Sequence, residues 1–188
     1  IRDSSKEDQS FTAHLLNGLF PTYRIFKVLQ TLETNPVKRL CDSLEARIYI
    51  AAYILHDYDK FFDYPNWLIQ HDLEKGFRDR NWRKNPPKKS DAPNLGREYV
   101  TQKIQDLGLH FLLGDDWMIY VDDIIWISNN AGEKYDADLG LKTRGLDNCQ
   151  LDGRVQSILI RLVRLSDLFA SAIKHPADIE ASSLTSLL

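Results

Sequence analysis

The chain has 188 residues, of which 43% are hydrophobic and 27% are charged. This is the composition of an ordinary globular protein, and we assign residues 1–188 to a single domain. A disordered chain is excluded, and the longest apolar run, from Ile48 to Leu55, is too short to cross a bilayer. The formal net charge of −3 excludes a polycation, although a local basic patch can still bind nucleic acid.

The cysteines and the first residue bear on the cellular context of the chain. Cys41 and Cys149 are too few for a disulfide framework, so we expect a reducing compartment and a cytoplasmic location. The chain begins at Ile1 and shows neither the basic nor the apolar region of a secretory signal. Because its first residue is not a methionine and its only methionine is Met118, we expect it to be a fragment of a longer protein, or a processed product.

The first part of the chain has a helical pattern. It covers residues 11–32, and Pro21 predicts a split into two helices at that point. The next helix is predicted from Ser43 to Phe62, with the sequence SLEARIYIAAYILHDYDKFF. Its middle is apolar all round, which is typical of a helix at the centre of a bundle. A buried strand is the alternative for so short an apolar run.

The remaining elements are also mainly helical. A short amphipathic helix is predicted over 67–77, a further helix over 94–113 and a last helix over 152–174, with a loop over 131–150. The segment WMIYVDDIIWISNN fits either a helix or a strand. Together these elements predict an all-α bundle of about six or seven helices with long loops.

Polar side chains interrupt apolar helix faces at three places. These are His14 on the first helix, the pair His56–Asp57 after the most apolar segment, and Asp167 on the last helix. Singly, each has an ordinary explanation as a hydrogen-bonded or capping residue. Together, two imidazoles and two carboxylates suit Mn, Fe, Co, Ni or Zn, and carboxylates also suit Mg. A bound divalent ion would offset the cost of burying these groups.

The order of these residues, within FTAHLLNGLF, HDYDK and RLSDLFAS, resembles the HD phosphohydrolase superfamily. The resemblance implies an HD-type bundle in which His14, His56, Asp57 and Asp167 bind a metal that activates water for attack on a phosphoester. It also implies that Asp57 is catalytic and orients the water.

HDYDK is similar to the superfamily's His-Asp-x-x-Lys, with Lys60 in the lysine position. A lysine there would be catalytic and would stabilise negative charge in the transition state. The alternative for Lys60 is a surface ion pair with Asp57 or Asp63.

A narrower resemblance points to DNA. HLLNGLFPTYRIF and AAYILHDYDKF are similar to the N-terminal HD nuclease domain of the large signature subunit of type I-D CRISPR interference complexes. This implies cleavage of single-stranded or unwound target DNA, with guide RNA and the other subunits of such a complex as partners and no membrane. The alternatives are a hydrolase of nucleotides or second messengers, and a non-catalytic docking domain. The latter would use exposed tryptophans at Trp67, Trp82, Trp117 and Trp126.

The chain departs from the pattern of two-metal HD nucleases. Those enzymes often carry a His-His pair between the HD pair and the last aspartate, where this chain has Asn129 and Asn130. His71 and His110 also lie in this interval and are further candidates for metal or substrate contacts. We therefore expect one metal site rather than two.

A basic segment is the candidate for binding DNA. Residues 77–94 carry six basic side chains and two aspartates, a net charge of +4. Phosphate contacts from such a segment would be salt-sensitive, and its tryptophan could stack on an unpaired base. A solvated loop without a ligand is the alternative. The residues assigned to DNA are Arg78, Arg80, Trp82, Arg83, Lys84, Lys88 and Lys89.

Overall fold

The structure is a computed structural model, and it describes residues 11–31, 43–70, 93–131 and 148–172. Over these ranges the chain is helical without a strand, which confirms the predicted all-α bundle. None of the helices in the described ranges is long and apolar enough to span a bilayer. The α-helices are α1 (Phe11–Thr31), α2 (Ser43–Leu55), α3 (Tyr64–Gln70), α4 (Pro93–Asp106), α5 (Leu109–Leu113), α6 (Val121–Asn130) and α7 (Gly153–Ala172).

Helix α2 lies at the centre of the bundle. It contacts α1, α5, α6 and α7, so it has little surface left for solvent. This explains why its sequence is apolar all round, and it confirms the prediction of a central helix over the strand alternative. Its fully buried residues are Ile48, Tyr49, Ala51, Ala52, Tyr53 and Leu55.

The predicted split of the first helix at Pro21 is wrong, because α1 runs without a break from Phe11 to Thr31. Proline inside a helix removes one backbone hydrogen bond and crowds the preceding turn. That cost is offset by packing on both sides of the proline. His14, Gly18, Thr22 and Phe26 are spaced four residues apart and are all buried, and α1 packs chiefly against α7. Three of these four are not large apolar residues, so hydrophobic periodicity does not reveal the stripe.

The predicted end of the second helix is also wrong, since α2 stops at Leu55 rather than at Phe62. The carbonyl of Tyr53 accepts the backbone N–H of His56 at 3.3 Å and also the side-chain Nδ1 of His56 at 2.6 Å. This i to i+3 bond tightens the chain into a turn, which a short 3₁₀ helix at Tyr58–Lys60 follows. The His-Asp pair therefore lies in a turn after the helix.

The other boundaries differ in detail. The helix predicted over 94–113 is interrupted by Gly108, whose φ of 69° lies in the left-handed region that glycine tolerates. The ambiguous segment forms a 3₁₀ helix, Trp117–Tyr120, followed by α6. Of the amphipathic helix predicted over 67–77, the structure describes residues 67–70, which belong to α3 (Tyr64–Gln70). Residues 71–77 lie outside the described ranges.

The three tryptophans in the described ranges do not form the exposed surface that the docking alternative requires. Trp67, Trp117 and Trp126 are half-buried and pack against the core. Trp82 lies outside the described residues. The expectation of exposed tryptophans is therefore wrong for these three positions.

Candidate metal centre

His14, His56 and Asp167 meet where α1, the end of α2 and α7 come together. The Nε2 atom of His14 lies 3.2 Å from Oδ1 of Asp167, and Nε2 of His56 lies 3.6 Å from the same oxygen. One potential ligand atom from each residue lies within 4.8 Å of the other two. The structure thus brings together three of the four predicted metal ligands.

The proton on His56 is assigned by its hydrogen bond to Tyr53. Nδ1 of His56 lies 2.6 Å from the carbonyl oxygen of Tyr53. Because a carbonyl only accepts, Nδ1 must carry the proton in this bond, and a neutral His56 therefore has its lone pair on Nε2. Nε2 is the atom that faces Asp167. Backbone hydrogen bonds of this kind orient histidine ligands in metal sites.

The carboxyl of Asp167 is held in its ionised form. Burial raises its pKa, but the hydrogen bonds and charges of His56 and His14 outweigh that effect and hold the pKa well below its usual range. The side chain is 29% exposed, so the cluster is open to solvent at this residue.

These two observations test whether the cluster fits a metal. Nε2 of His56 lies 3.6 Å from an anionic carboxylate oxygen, and a nitrogen lone pair and a carboxylate oxygen attract only when a cation lies between them. A proton on Nε2 or a divalent ion provides that cation. Imidazole nitrogen with carboxylate oxygen is the donor set of Mn, Fe, Co, Ni and Zn. The residues therefore fit a divalent transition metal.

Asp57 lies at the edge of this cluster. Its Oδ2 is 3.5 Å from Nε2 of His56, and the same oxygen accepts a hydrogen bond from Nζ of Lys60 at 2.6 Å. The three-residue cluster does not include Asp57. Lys60 thus forms the ion pair that was the alternative to a catalytic role, while its side chain remains 54% exposed.

The remaining ligand candidates have other contacts. Asn129 is exposed, and its side chain forms a hydrogen bond with the hydroxyl of Tyr58. The amide of Asn130 donates to the carbonyl of Trp126 on its own helix at 2.7 Å. His110 packs against Phe111, with ring centroids 3.9 Å apart, and among the described residues it is not part of the metal cluster.

Several of the predicted contact residues lie outside the ranges that the structure describes. His71 lies outside the described residues. So do the DNA-binding candidates Arg78, Arg80, Trp82, Arg83, Lys84, Lys88 and Lys89.

Tyr53 and Gly18 also contact this site, although the sequence did not predict a role for either. Tyr53 donates a hydrogen bond from its hydroxyl to the carbonyl of His14 at 3.1 Å. Gly18 lies one helical turn after His14, where Tyr53 and α7 approach the backbone of α1. The sequence signal that could have revealed this contact is a glycine inside a predicted helix, four residues from a candidate ligand, since such a glycine often allows another segment to approach the helix backbone closely.

No protein-family model matches this chain, and neither the curated proteins nor the solved structures give a significant match. The resemblance to the HD superfamily therefore stays a prediction based on its motifs. The functional argument depends on the cluster itself.

Proposed function

We propose that this chain is a divalent-metal-dependent phosphoester hydrolase of the HD type. The observation that carries the proposal is the convergence of two histidine Nε2 atoms on one oxygen of Asp167, at 3.2 and 3.6 Å. Two imidazoles and a carboxylate, from α1, the turn after α2 and α7, supply a donor set for one divalent ion. His14, His56 and Asp167 would hold the ion, with Asp57 as a fourth candidate ligand.

The protein's own groups have separate roles in this proposal. When bound, the ion supplies an acidic water and a positive charge for a phosphoryl oxygen. Asp57, 3.5 Å from Nε2 of His56, orients the attacking water. Although Lys60 pairs with Asp57, its side chain is 54% exposed, so its ammonium can contact a phosphate that approaches from solvent.

The finer proposal is a nuclease that cuts DNA, single-stranded or unwound, as part of a CRISPR interference complex. It is supported by the narrower resemblance of HLLNGLFPTYRIF and AAYILHDYDKF, and by the net charge of +4 over residues 77–94. If that segment binds DNA phosphates, neutralising four of its cations should reduce the slope of log affinity against log salt by about 3 for a single strand. The four are Arg83, Lys84, Lys88 and Lys89.

The experiment is hydrolysis by the purified 188-residue chain with Mn²⁺, then with excess EDTA. Substrates are labelled single-stranded DNA, its duplex, nucleoside monophosphates and a cyclic nucleotide. We expect cleavage of the single strand, loss of cleavage in EDTA and background rates for His56→Ala. Asp115→Asn, a change at an exposed aspartate, is the control and should behave as wild type.

Each contrary outcome overturns a different part of the proposal. Equal rates for His56→Ala and wild type would show that the site is wrong. Turnover of a mononucleotide or cyclic nucleotide without DNA cleavage would replace DNA as the substrate. Failure of the Mn²⁺-loaded wild type to hydrolyse any of these phosphoesters would contradict the activity.

A further inference from the structure

Tyr53 contacts both candidate histidine ligands through three different groups. Its ring stacks on that of His56, with centroids 5.1 Å apart and planes within 7°. Its carbonyl accepts Nδ1 of His56 at 2.6 Å. Its hydroxyl donates to the carbonyl of His14 at 3.1 Å. One buried residue therefore connects the end of α2 to the part of α1 that carries His14.

Gly18 provides the space that the Tyr53 hydroxyl occupies. A Cβ atom on residue 18 would lie 2.1 Å from the hydroxyl oxygen of Tyr53 and 2.2 Å from the carbonyl oxygen of Ser166. Real Cβ contacts are not that short, so either Tyr53 or α7 would have to move. Ser166 directly precedes Asp167, so the same close approach also places the third candidate ligand.

The hydroxyl of Tyr53 is a dependable donor. The carbonyl oxygen of His14 can only accept, so the Tyr53 hydroxyl supplies the proton of this bond. The His14 carbonyl has a second lone pair available beside its helical hydrogen bond. This bond therefore links the two helices at the position of His14.

We propose that Tyr53 is a positioning residue that fixes the positions of His14 and His56 relative to Asp167. Gly18 leaves the space that the Tyr53 hydroxyl occupies. The inference rests on the proposed metal site, and it adds residues that contact the ligands rather than the ion. Stacking and the carbonyl bond set the rotation of the His56 ring. The hydroxyl sets the distance between α1 and the end of α2.

Tyr49 offers a matched control on the same helix. It is also fully buried, and its hydroxyl forms a hydrogen bond of 2.7 Å, but to Ser166 rather than to either histidine. Tyr53→Phe and Tyr49→Phe therefore each remove one buried hydroxyl and one hydrogen bond. Only the first change removes a hydrogen bond to a candidate ligand. In the second, Ser166 keeps the hydrogen bond that its hydroxyl donates to the carbonyl of Leu162 at 2.9 Å, which helps hold the chain beside Asp167 in place.

The experiment is titration of the 188-residue chain and both variants with Co²⁺, followed by the visible absorption of the bound ion. Thermal unfolding of the metal-free proteins is recorded in parallel. We expect similar losses of thermal stability in the two variants. We expect Tyr53→Phe to weaken Co²⁺ binding by roughly 10-fold to 100-fold, the usual effect of changing a partner of a metal ligand, and to shift the absorption band. Tyr49→Phe should leave both affinity and band as in wild type.

Equal affinities in the two variants would overturn the positioning role. If wild type binds no Co²⁺, the proposed metal site is wrong, and imidazole nitrogen NMR of the metal-free proteins then decides the positioning role separately. Altered His14 signals in Tyr53→Phe, with unaltered signals in Tyr49→Phe, would support positioning. The same His14 signals in all three proteins would overturn it.

Discussion

The Nε2 atom of His14 on α1 lies 3.2 Å from Oδ1 of Asp167 on α7, across the contact between the first and last described helices. These two residues lie near opposite ends of the sequence, so the candidate site exists only when α1 and α7 are packed together. Binding an ion at this position should therefore stabilise the helix pair as well as prepare the site for chemistry.

We predict that Mn²⁺ raises the unfolding free energy of the wild-type chain. At roughly 100 times its dissociation constant, a ligand that binds only the folded state adds about 2.7 kcal/mol. Asp167→Asn should abolish this stabilisation, because it removes the charge that the two histidines face. Urea unfolding with and without Mn²⁺ measures the effect, with Asp115→Asn as the exposed control. Equal stabilisation of Asp167→Asn would remove Asp167 from the ligand set.

We predict that Gly18→Ala is strongly destabilising and that Gly153→Ala is not. The added methyl group at residue 18 would collide with Tyr53 and Ser166, whereas a Cβ at residue 153 meets nothing within 4 Å. Overpacking of this kind costs typically about 1–3 kcal/mol, while alanine on an open helix position is neutral or stabilising by about 0.5–1 kcal/mol. Denaturant midpoints measure both changes. A Gly18→Ala variant as stable as Gly153→Ala would mean that α1 and α7 do not approach this closely.

Asp123 is predicted to anchor the chain that leads into α7. Its buried carboxylate accepts backbone N–H groups of Gln150 at 2.8 Å and Leu151 at 3.1 Å, and the Gln156 amide at 2.8 Å. Asp123→Ala should cost on the order of 3 kcal/mol, since it leaves the buried Gln156 amide and two partly buried backbone N–H groups without their acceptor. Asp116→Ala, at an exposed site, is the control. Urea unfolding measures the difference, and similar midpoints for the two variants would refute the anchoring role.

Stability should fall in acid partly through Asp63. Burial raises the pKa of Asp63. Hydrogen bonds from Lys103 and Tyr99 lower it by a larger amount, so the net shift of the pKa is downward. A folded-state pKa below the unfolded value of roughly 3.9 gives stability that is present above that value and lost as pH falls through the folded pKa. Lys103→Met should therefore flatten the decline of melting temperature below about pH 4. Lys27→Met, at an exposed lysine, should not. Parallel pH profiles for the two variants would contradict the prediction.

Much of the helical architecture was readable from residue patterns. The apolar run of α2 predicted a central helix because a helix contacted by several others has no solvent face, and the structure confirms it. His14, His56 and Asp167 could also be selected beforehand, because polar side chains among apolar neighbours need a partner. Helix boundaries were less readable, since Pro21 is a strong local signal for a break and gives no information about packing on either side.

The sequence by itself determined most of the helical segments, although it left WMIYVDDIIWISNN open between helix and strand. It also singled out His14, His56 and Asp167 as polar residues on apolar surfaces. Both results depend on periodicity and on the cost of burying charge. Only the tertiary structure decided that α1 continues through Pro21, that the His-Asp pair lies in a turn, and that Asp57 pairs with Lys60 beside the cluster. It also revealed Tyr53 and Gly18 at the site. These features depend on distances between residues far apart in the chain, and such distances exist only once the helices have packed.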